Sequence, residues 1–405
     1  MPSGFTINGV DIDSSLGLVP KSYLIDRYPE LANTFKTAGL WTWGTGSLGQ
    51  MGDNTLAPKS SPVQTISGGA NWKVTTFGAS STVSAIKTDG TLWTWGGGTN
   101  GQMGDNTLTN KSSPVQTISL GTNWKQVSNG AFHTVAIKTD GTLWTWGLNG
   151  YGQLGNNLIA RTSSPVQTIS AGTNWKQVSA GRETTACIKT NGALWTWGNN
   201  AQGQLGINSI GGGRSSPVQT IAVGTNWKQV SCGEWHMTAV KTDGTLWVWG
   251  YNNYGQLGNG FVASITSPVQ TAAGGTNWKQ VSAGGYTTAA IKTDGTLWMW
   301  GRGTEGQLGD STRTNKSSPV QTISGGTNWK QVSTHVNQSA AIKTDGTLWT
   351  WGLSFLGQLG DNTRDSKSSP IQTISGGTNW KQIVVGNSFM IAIRDDSADF
   401  GIGTM

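Results

Sequence analysis

Sulfur is scarce in this chain: two cysteines in 405 residues, Cys187 and Cys232, at non-equivalent positions. No Cys-x-x-Cys or Cys/His spacing surrounds them, so no metal site is expected and both read as small buried residues. Long apolar runs are missing too. No stretch approaches membrane-spanning length, and the start Met1 to Val10 lacks the basic residues and apolar core of a signal peptide. The expectation is no membrane insertion and no general secretory export. Catalytic signatures are equally thin, with no nucleophile motif, phosphate loop or metal-ligand spacing. His133 with Glu183, and Glu234 with His236, are conceivable acid/base pairs, but each reads better as a polar loop residue. Asp53-Asn54-Thr55 and its counterparts supply too few oxygens for calcium and read as turn stabilisers. Catalytic residues, metal and cofactor are therefore all expected to be absent.

The formal net charge is +7, yet most lysines recur once per repeat in Asn-Trp-Lys and again in Ile-Lys-Thr-Asp-Gly. Charge spread evenly round a ring is a solvated surface, whereas a nucleic-acid footprint needs clustering, so no nucleic-acid partner is expected. Residues 1–33 carry Asp11, Asp13, Asp26 and Glu30 against Lys21 and Arg27, which leaves no basic arm.

What the chain has in abundance is glycine and tryptophan, 60 and 22 residues, arranged with a period of 51 or 52. The second Trp of a Trp-x-Trp pair falls at Trp43, Trp95, Trp146, Trp197, Trp249, Trp300 and Trp351, which makes seven copies. Repeats of this length with several short strands each mark a propeller. The first copy has the strands Leu40 to Gly44 and Pro62 to Ile66 without the two that precede them elsewhere. The last has Asn379 to Ile383 and Phe389 to Ile393 and stops before another Trp-x-Trp. Each half exposes the edge that the other needs. The fold class expected is all-β, a seven-bladed β-propeller of four antiparallel strands per blade, with one composite blade closed by N- and C-terminal strands. Its domains are an arm at 1–35, a propeller at 36–396 and a tail at 397–405.

In the repeat from Asn277, Trp278 to Ser282, Thr287 to Lys292, Thr296 to Gly301 and Pro319 to Ile323 read as four strands, the middle two joined through Asp294-Gly295. Asp-Gly favours a tight hairpin because both central residues can take positive φ. The two indoles of Trp-x-Trp share one face of the sheet, where both can pack on the neighbouring blade. All tryptophans but Trp235 occupy three fixed repeat positions, as a core requires.

The block from Gly130 to Gly155, with His133-Thr134, Ile137-Lys138-Thr139-Asp140-Gly141, Trp144-Thr145-Trp146-Gly147 and Gly152-Gln153-Leu154-Gly155, closely resembles the repeat of the regulator of chromosome condensation family. The resemblance covers about nine tenths of the chain. It implies a seven-bladed propeller with a blade shared between the chain ends, and among its members are exchange factors for small GTPases, propeller inhibitors of β-lactamase, and bacterial and phage proteins. The repeat histidine survives at His133 and His236 only, and no repeat carries the inserted β-wedge of the exchange factor. The segment from Tyr23 to Leu31 resembles the start of phage-encoded members.

The copies differ chiefly in the first-to-second and third-to-fourth strand connections, which an up-and-down blade places on one face. Partner-binding residues expected there are Phe132, His133, Arg182, Glu183, Glu234, Trp235, His236, Tyr251, Tyr254, Tyr286, Arg302, Glu305 and Phe355. The arm, with Phe5, Ile7, Tyr23, Leu24 and Tyr28, is expected to be a docking segment, Phe5 to Ile12 forming a short extended piece or hairpin. Together these features predict a non-enzymatic structural and protein-binding propeller, a phage virion component in a larger assembly that meets protein partners or a host surface receptor. The alternatives are a soluble, cytoplasmic regulatory module, either exchange-factor-like or an enzyme inhibitor, and a glycan-binding propeller.

Overall fold

The computed structural model describes residues 5–7, 10–12, 27, 38–66, 71–78, 81–119, 121–169, 172–222, 224–323, 326–374 and 377–395. Seven four-stranded antiparallel sheets make the ring. Six are continuous in sequence, at 72–116, 124–167, 175–219, 227–270, 278–321 and 329–372, and are called blades one to six. The seventh is composite: Trp380–Val385 and Phe389–Asp395 supply its two inner strands, Ala38–Gly44 and Lys59–Gln64 its two outer ones. The join runs in register from Ala38 opposite Asp395 to Gly44 opposite Phe389. A pairing of this length leaves neither half blade with an open edge.

Trp-x-Trp splits its two indoles between different tasks. The second, such as Trp249, is completely buried and donates its Nε1–H at 2.9 Å to the carbonyl of Gln204 in the Gly-Gln-Leu-Gly turn of the previous blade. That turn approaches so closely that a Cβ on Gly206, at φ +67°, would overlap the indole. The first indole packs at the margin of the same core between blades and is less deeply set. Trp93 stays half-buried, bonds Thr91 Oγ1 through its own Nε1–H at 2.9 Å, and with Trp72 brackets Lys87 Nζ at 4.4 and 4.9 Å. The same lysine–tryptophan sandwich recurs in blades two to six, with Arg394 between Trp41 and Trp380 in the composite blade. These periodic cations are held by ring faces as well as by solvent.

Two details differ from the reading of the sequence. The fourth strand runs Lys316–Gln321 instead of Pro319 to Ile323; it is a sheet edge, where a proline without N–H is tolerated, and the exposed Ile323 lies beyond it. In the Asp-Gly turns only the glycine has positive φ, +81° at Gly90. Gly90 N–H closes on Lys87 O while Lys87 N–H bonds Thr91 O, so the hairpin is a three-residue loop with glycine in the left-handed position. Asp89 is free to accept from Thr91 N–H and Oγ1–H at 2.9 and 2.7 Å, which holds its carboxyl below the ordinary range.

Around the axis, side chains on the innermost strands stitch neighbours together. Gln229 donates to Val281 O at 3.0 Å and accepts from Val281 N–H at 3.1 Å, and equivalent glutamines do this at 126, 177, 280 and 382. A parallel ladder runs from Ser128, Ser179, Ser231, Ser282 and Ser333 to the next blade's N–H. Both ladders are interrupted beside blade one. Val74 stands where the others have glutamine, and Val384 where they have serine or, in blade one, Thr76. Phe77 stacked on Phe389 at 4.9 Å closes the latter joint instead.

Of the terminal arm, Phe5–Ile7 and Val10–Ile12 pair as a short antiparallel hairpin. Phe5 and Ile7 thus lie on a strand, whereas Tyr23, Leu24 and Tyr28 fall outside the described residues.

Candidate functional site

The variable loops do share a face, because each third-to-fourth connection leaves its blade against the first-to-second connection. Tyr251 N–H bonds Trp235 O and Arg302 N–H bonds Tyr286 O, both at 2.9 Å. The opposite face is nearly constant for a physical reason. Each Asp-Gly turn is bonded to the next blade, as in Trp124 N–H to Gly90 O at 3.0 Å, and each Gly-Thr-Asn turn to its own blade's hairpin, as in Thr139 N–H to Asn123 O at 2.8 Å, while a Cβ on Gly90 would overlap Thr122 O.

On the variable face, blades three to five gather most of the residues expected from sequence. Tyr251, Tyr254 and Tyr286 form a three-ring cluster with centroids 6.4, 6.1 and 5.1 Å apart. Trp235 adjoins it, and the Arg182 guanidinium lies 4.9 Å from the Trp235 ring while pairing with Glu234 at 3.8 Å. Arg302 sits 6.0 Å from the Tyr254 ring, pairs with Glu305 at 3.7 Å and donates to Asn337 Oδ1 at 3.4 Å. Burial raises the Glu234 carboxyl pKa, with Arg182 opposing, and burial followed by the Glu234 charge raises the Tyr286 phenol. Between the rings opens a cavity of about 230 Å³ lined by Gln202, Trp235, Tyr251 and Tyr286. Gln202 was not singled out from sequence; its only signal was membership of a variable third-to-fourth loop.

Other expected residues are placed elsewhere. Glu183 accepts from Asn199 Nδ2–H at 2.8 Å, Phe132 lines a separate cavity with Leu48 and Asn100, and Phe355 projects alone, 67% exposed. His133 and His236 are not on the surface at all, at 0% and 1% exposure, so as they stand they cannot touch a partner. The reason lies between blades: His133 Nε2 meets Thr185 Oγ1 at 2.9 Å, and that hydroxyl donates to Gln153 O at 2.8 Å, the same carbonyl that takes Trp197 Nε1–H. Since the hydroxyl hydrogen is committed, His133 donates from Nε2, and His236 repeats the arrangement with Thr288 and Gln256. Burial depresses both imidazoles to about 3, which keeps them neutral. A third histidine, His335, occupies the position where the other blades have glycine, lines the axial channel and is depressed by burial to about 4.

Among the described residues no group of three or more His, Cys, Asp or Glu could hold a metal ion, and no helix is long and apolar enough to cross a membrane. Cys187 and Cys232 are free and buried.

Comparison with known proteins places this ring among relatives. The RCC1-like domain family matches residues 39–392. The Ultraviolet-B receptor UVR8 of Arabidopsis thaliana is 31% identical over 325 residues, which is 79% of this chain and 74% of that protein. The RCC1 domain-containing protein RUG3, mitochondrial, also of Arabidopsis thaliana, is 28% identical over 372 residues, covering 82% of this chain and 81% of the relative. The solved structure of Prp20p from Saccharomyces cerevisiae, described with its binding properties to Gsp1p and histones, superposes with a TM-score of 0.78 at 19% identity, over 94% of this chain and 97% of that one. These relatives overturn the virion placement expected from sequence. They are cellular proteins of plants and yeast, one of them mitochondrial, and they lend no support to a phage or bacterial type.

Proposed function

This chain belongs to the RCC1-like domain family, and from that premise we propose that it is a non-catalytic, regulatory protein-binding module whose partner docks on the variable face of blades three to five. The observation that carries the reading is the clustering there of Trp235, Tyr251, Tyr254 and Tyr286 with Arg182 and Arg302, on loops that the rest of the ring repeats without aromatic groups in such density. Aromatic and arginine side chains on a rigid scaffold are the residue types that dominate binding energy at protein interfaces. The relatives support this class of activity: one is a receptor, and another is described by its binding to Gsp1p and histones. The arm at 1–35 is proposed as a second docking segment.

Affinity capture from source-cell extract, run in parallel with wild-type chain and with Trp235→Ala/Tyr286→Ala, tests the main reading. Proteins retained by the wild type should be lost from the double variant while its thermal unfolding stays near wild type. Identical retained sets would refute the assignment of the face. Deleting residues 1–33 should weaken a captured partner's binding without unfolding the ring, and unchanged affinity would remove the arm's role.

A further inference from the structure

We propose that the cavity between Trp235, Tyr251 and Tyr286 is a cage for a quaternary ammonium group, the trimethylated lysine side chain of a protein partner. The proposal rests on the protein-binding reading of this face and names what the face recognises.

Three observations converge on a cation. The cavity wall consists of three aromatic side chains and the Gln202 amide, with no charged side chain in the lining. Its tyrosines are mutually tilted, by 60° between Tyr251 and Tyr286, so their faces do not form one flat platform. Such a corner presents π-surface from several directions to a compact cation, whereas a sugar ring needs a flat face edged by hydrogen-bonding groups. Next, the charges beside the rings cancel, Arg182 pairing with Glu234 and Arg302 with Glu305, so the corner presents no net positive charge on a chain that carries +7 overall. Finally, the molecule uses the same chemistry in every blade, where Lys Nζ or the Arg394 guanidinium lies between two indoles. Arg182 and Arg302 already rest on Trp235 and Tyr254, yet neither lines the cavity.

The preference for a methylated ammonium follows from hydrogen bonding. A primary ammonium carries three N–H donors that need acceptors, and of the lining's acceptors, the Gln202 amide oxygen and two tyrosine hydroxyls, that of Tyr286 is already bonded to the Trp235 side chain. A trimethylammonium has no N–H to satisfy and is less costly to remove from water, so aromatic faces suffice. At about 230 Å³ the cavity exceeds the roughly 30 Å³ of a single water several-fold, which leaves room for a branched head group.

The test uses the full chain and three small probes: acetyl-trimethyllysine amide, acetyl-lysine amide unmodified at Nε, and the neutral isostere with a tert-butyl group in place of trimethylammonium. Titration by calorimetry or ligand-detected NMR should show the trimethyllysine probe binding about tenfold tighter than the isostere and severalfold tighter than lysine. Trp235→Ala and, separately, Tyr251→Leu should each weaken it about tenfold with the unfolding midpoint unchanged, and Glu234→Gln about threefold. Equal affinity for the isostere, or undiminished binding by both aromatic variants, overturns the proposal. A captured partner that depends on Trp235 but is not displaced by the trimethyllysine probe would overturn the cage and leave the protein-binding face standing. A partner indifferent to Trp235 would overturn both.

Discussion

Replacing Trp249 with phenylalanine should cost more than the same change at Trp300, although both indoles are completely buried at the same blade position. Each replacement removes part of a ring from a close-packed interface, about 1–2 kcal/mol of transfer and cavity cost common to both sites. What differs is the carbonyl left behind. Gln256 O accepts from Trp300 Nε1–H at 3.0 Å and also from Thr288 Oγ1–H at 2.7 Å, so it keeps a partner when the indole goes. Gln204 O accepts from Trp249 at 2.9 Å, and Met237, which stands where blade five has Thr288, can donate nothing. A buried carbonyl stranded without a donor costs about 1–3 kcal/mol, more than the net ~1 kcal/mol of one lost bond among two. Trp249→Phe should therefore be the more destabilising by about 1–2 kcal/mol. Urea unfolding followed by circular dichroism measures this from the midpoint shift at constant slope. The added change Met237→Thr restores a hydroxyl, and its own cost should fall by about 1 kcal/mol in the Trp249→Phe background. Equal midpoints for the two single variants, together with no coupling to Met237→Thr, would refute the claim that this bond ties blade to blade.

Three more outcomes are expected. His133 and His236 have folded pKa values near 3 against 6.5 when free, so the unfolded chain binds protons that the folded ring refuses. Their contribution is intact above pH 6.5 and is lost as pH falls towards 3, at up to about 1.4 kcal/mol per pH unit for each histidine. His133→Thr, the residue of blades three and five, should flatten the decline between pH 6.5 and 4.5 in urea midpoints, and an unchanged slope would contradict a buried neutral imidazole. Val74→Gln should complete the inner glutamine ladder towards Val127 and raise the midpoint by an amount worth about 1 kcal/mol; a lowered midpoint would show that the apolar joint is the better one. Deleting residues 377–405 removes both inner strands of the composite blade and should convert a cooperatively unfolding protein into an aggregating chain by light scattering. A soluble, cooperatively unfolding product would deny that this blade closes the ring.

Legibility from sequence followed repetition. The seven Trp-x-Trp pairs and the complementary deficits at the two ends were enough to read seven blades and their closure, because each copy reports the same backbone environment independently. The turn at Asp89-Gly90 was misread because the dipeptide suits two hairpin geometries, and only the bond from Lys87 N–H to Thr91 O distinguishes them. His133 and His236 looked like loop residues because they begin a strand next to variable positions; their partners Thr185 and Thr288 lie a whole blade away in sequence. Neighbouring loop residues met the opposite outcome. Trp235 and Tyr286, some fifty positions apart and both off the repeat pattern, do come to one cavity, since adjacent blades bring corresponding loops side by side.

By itself, then, the sequence determined the architecture: hydrophobic period, turn glycines and strand count act locally and repeat, so each blade encodes its own sheet and the ends encode the clasp. The tertiary structure decided which polar and aromatic side chains face solvent and which face another blade. That choice depends on contacts between residues about 52 positions apart, where one hydroxyl such as Thr185 draws a histidine inward and an open corner such as Trp235, Tyr251 and Tyr286 leaves aromatic surface free for a partner.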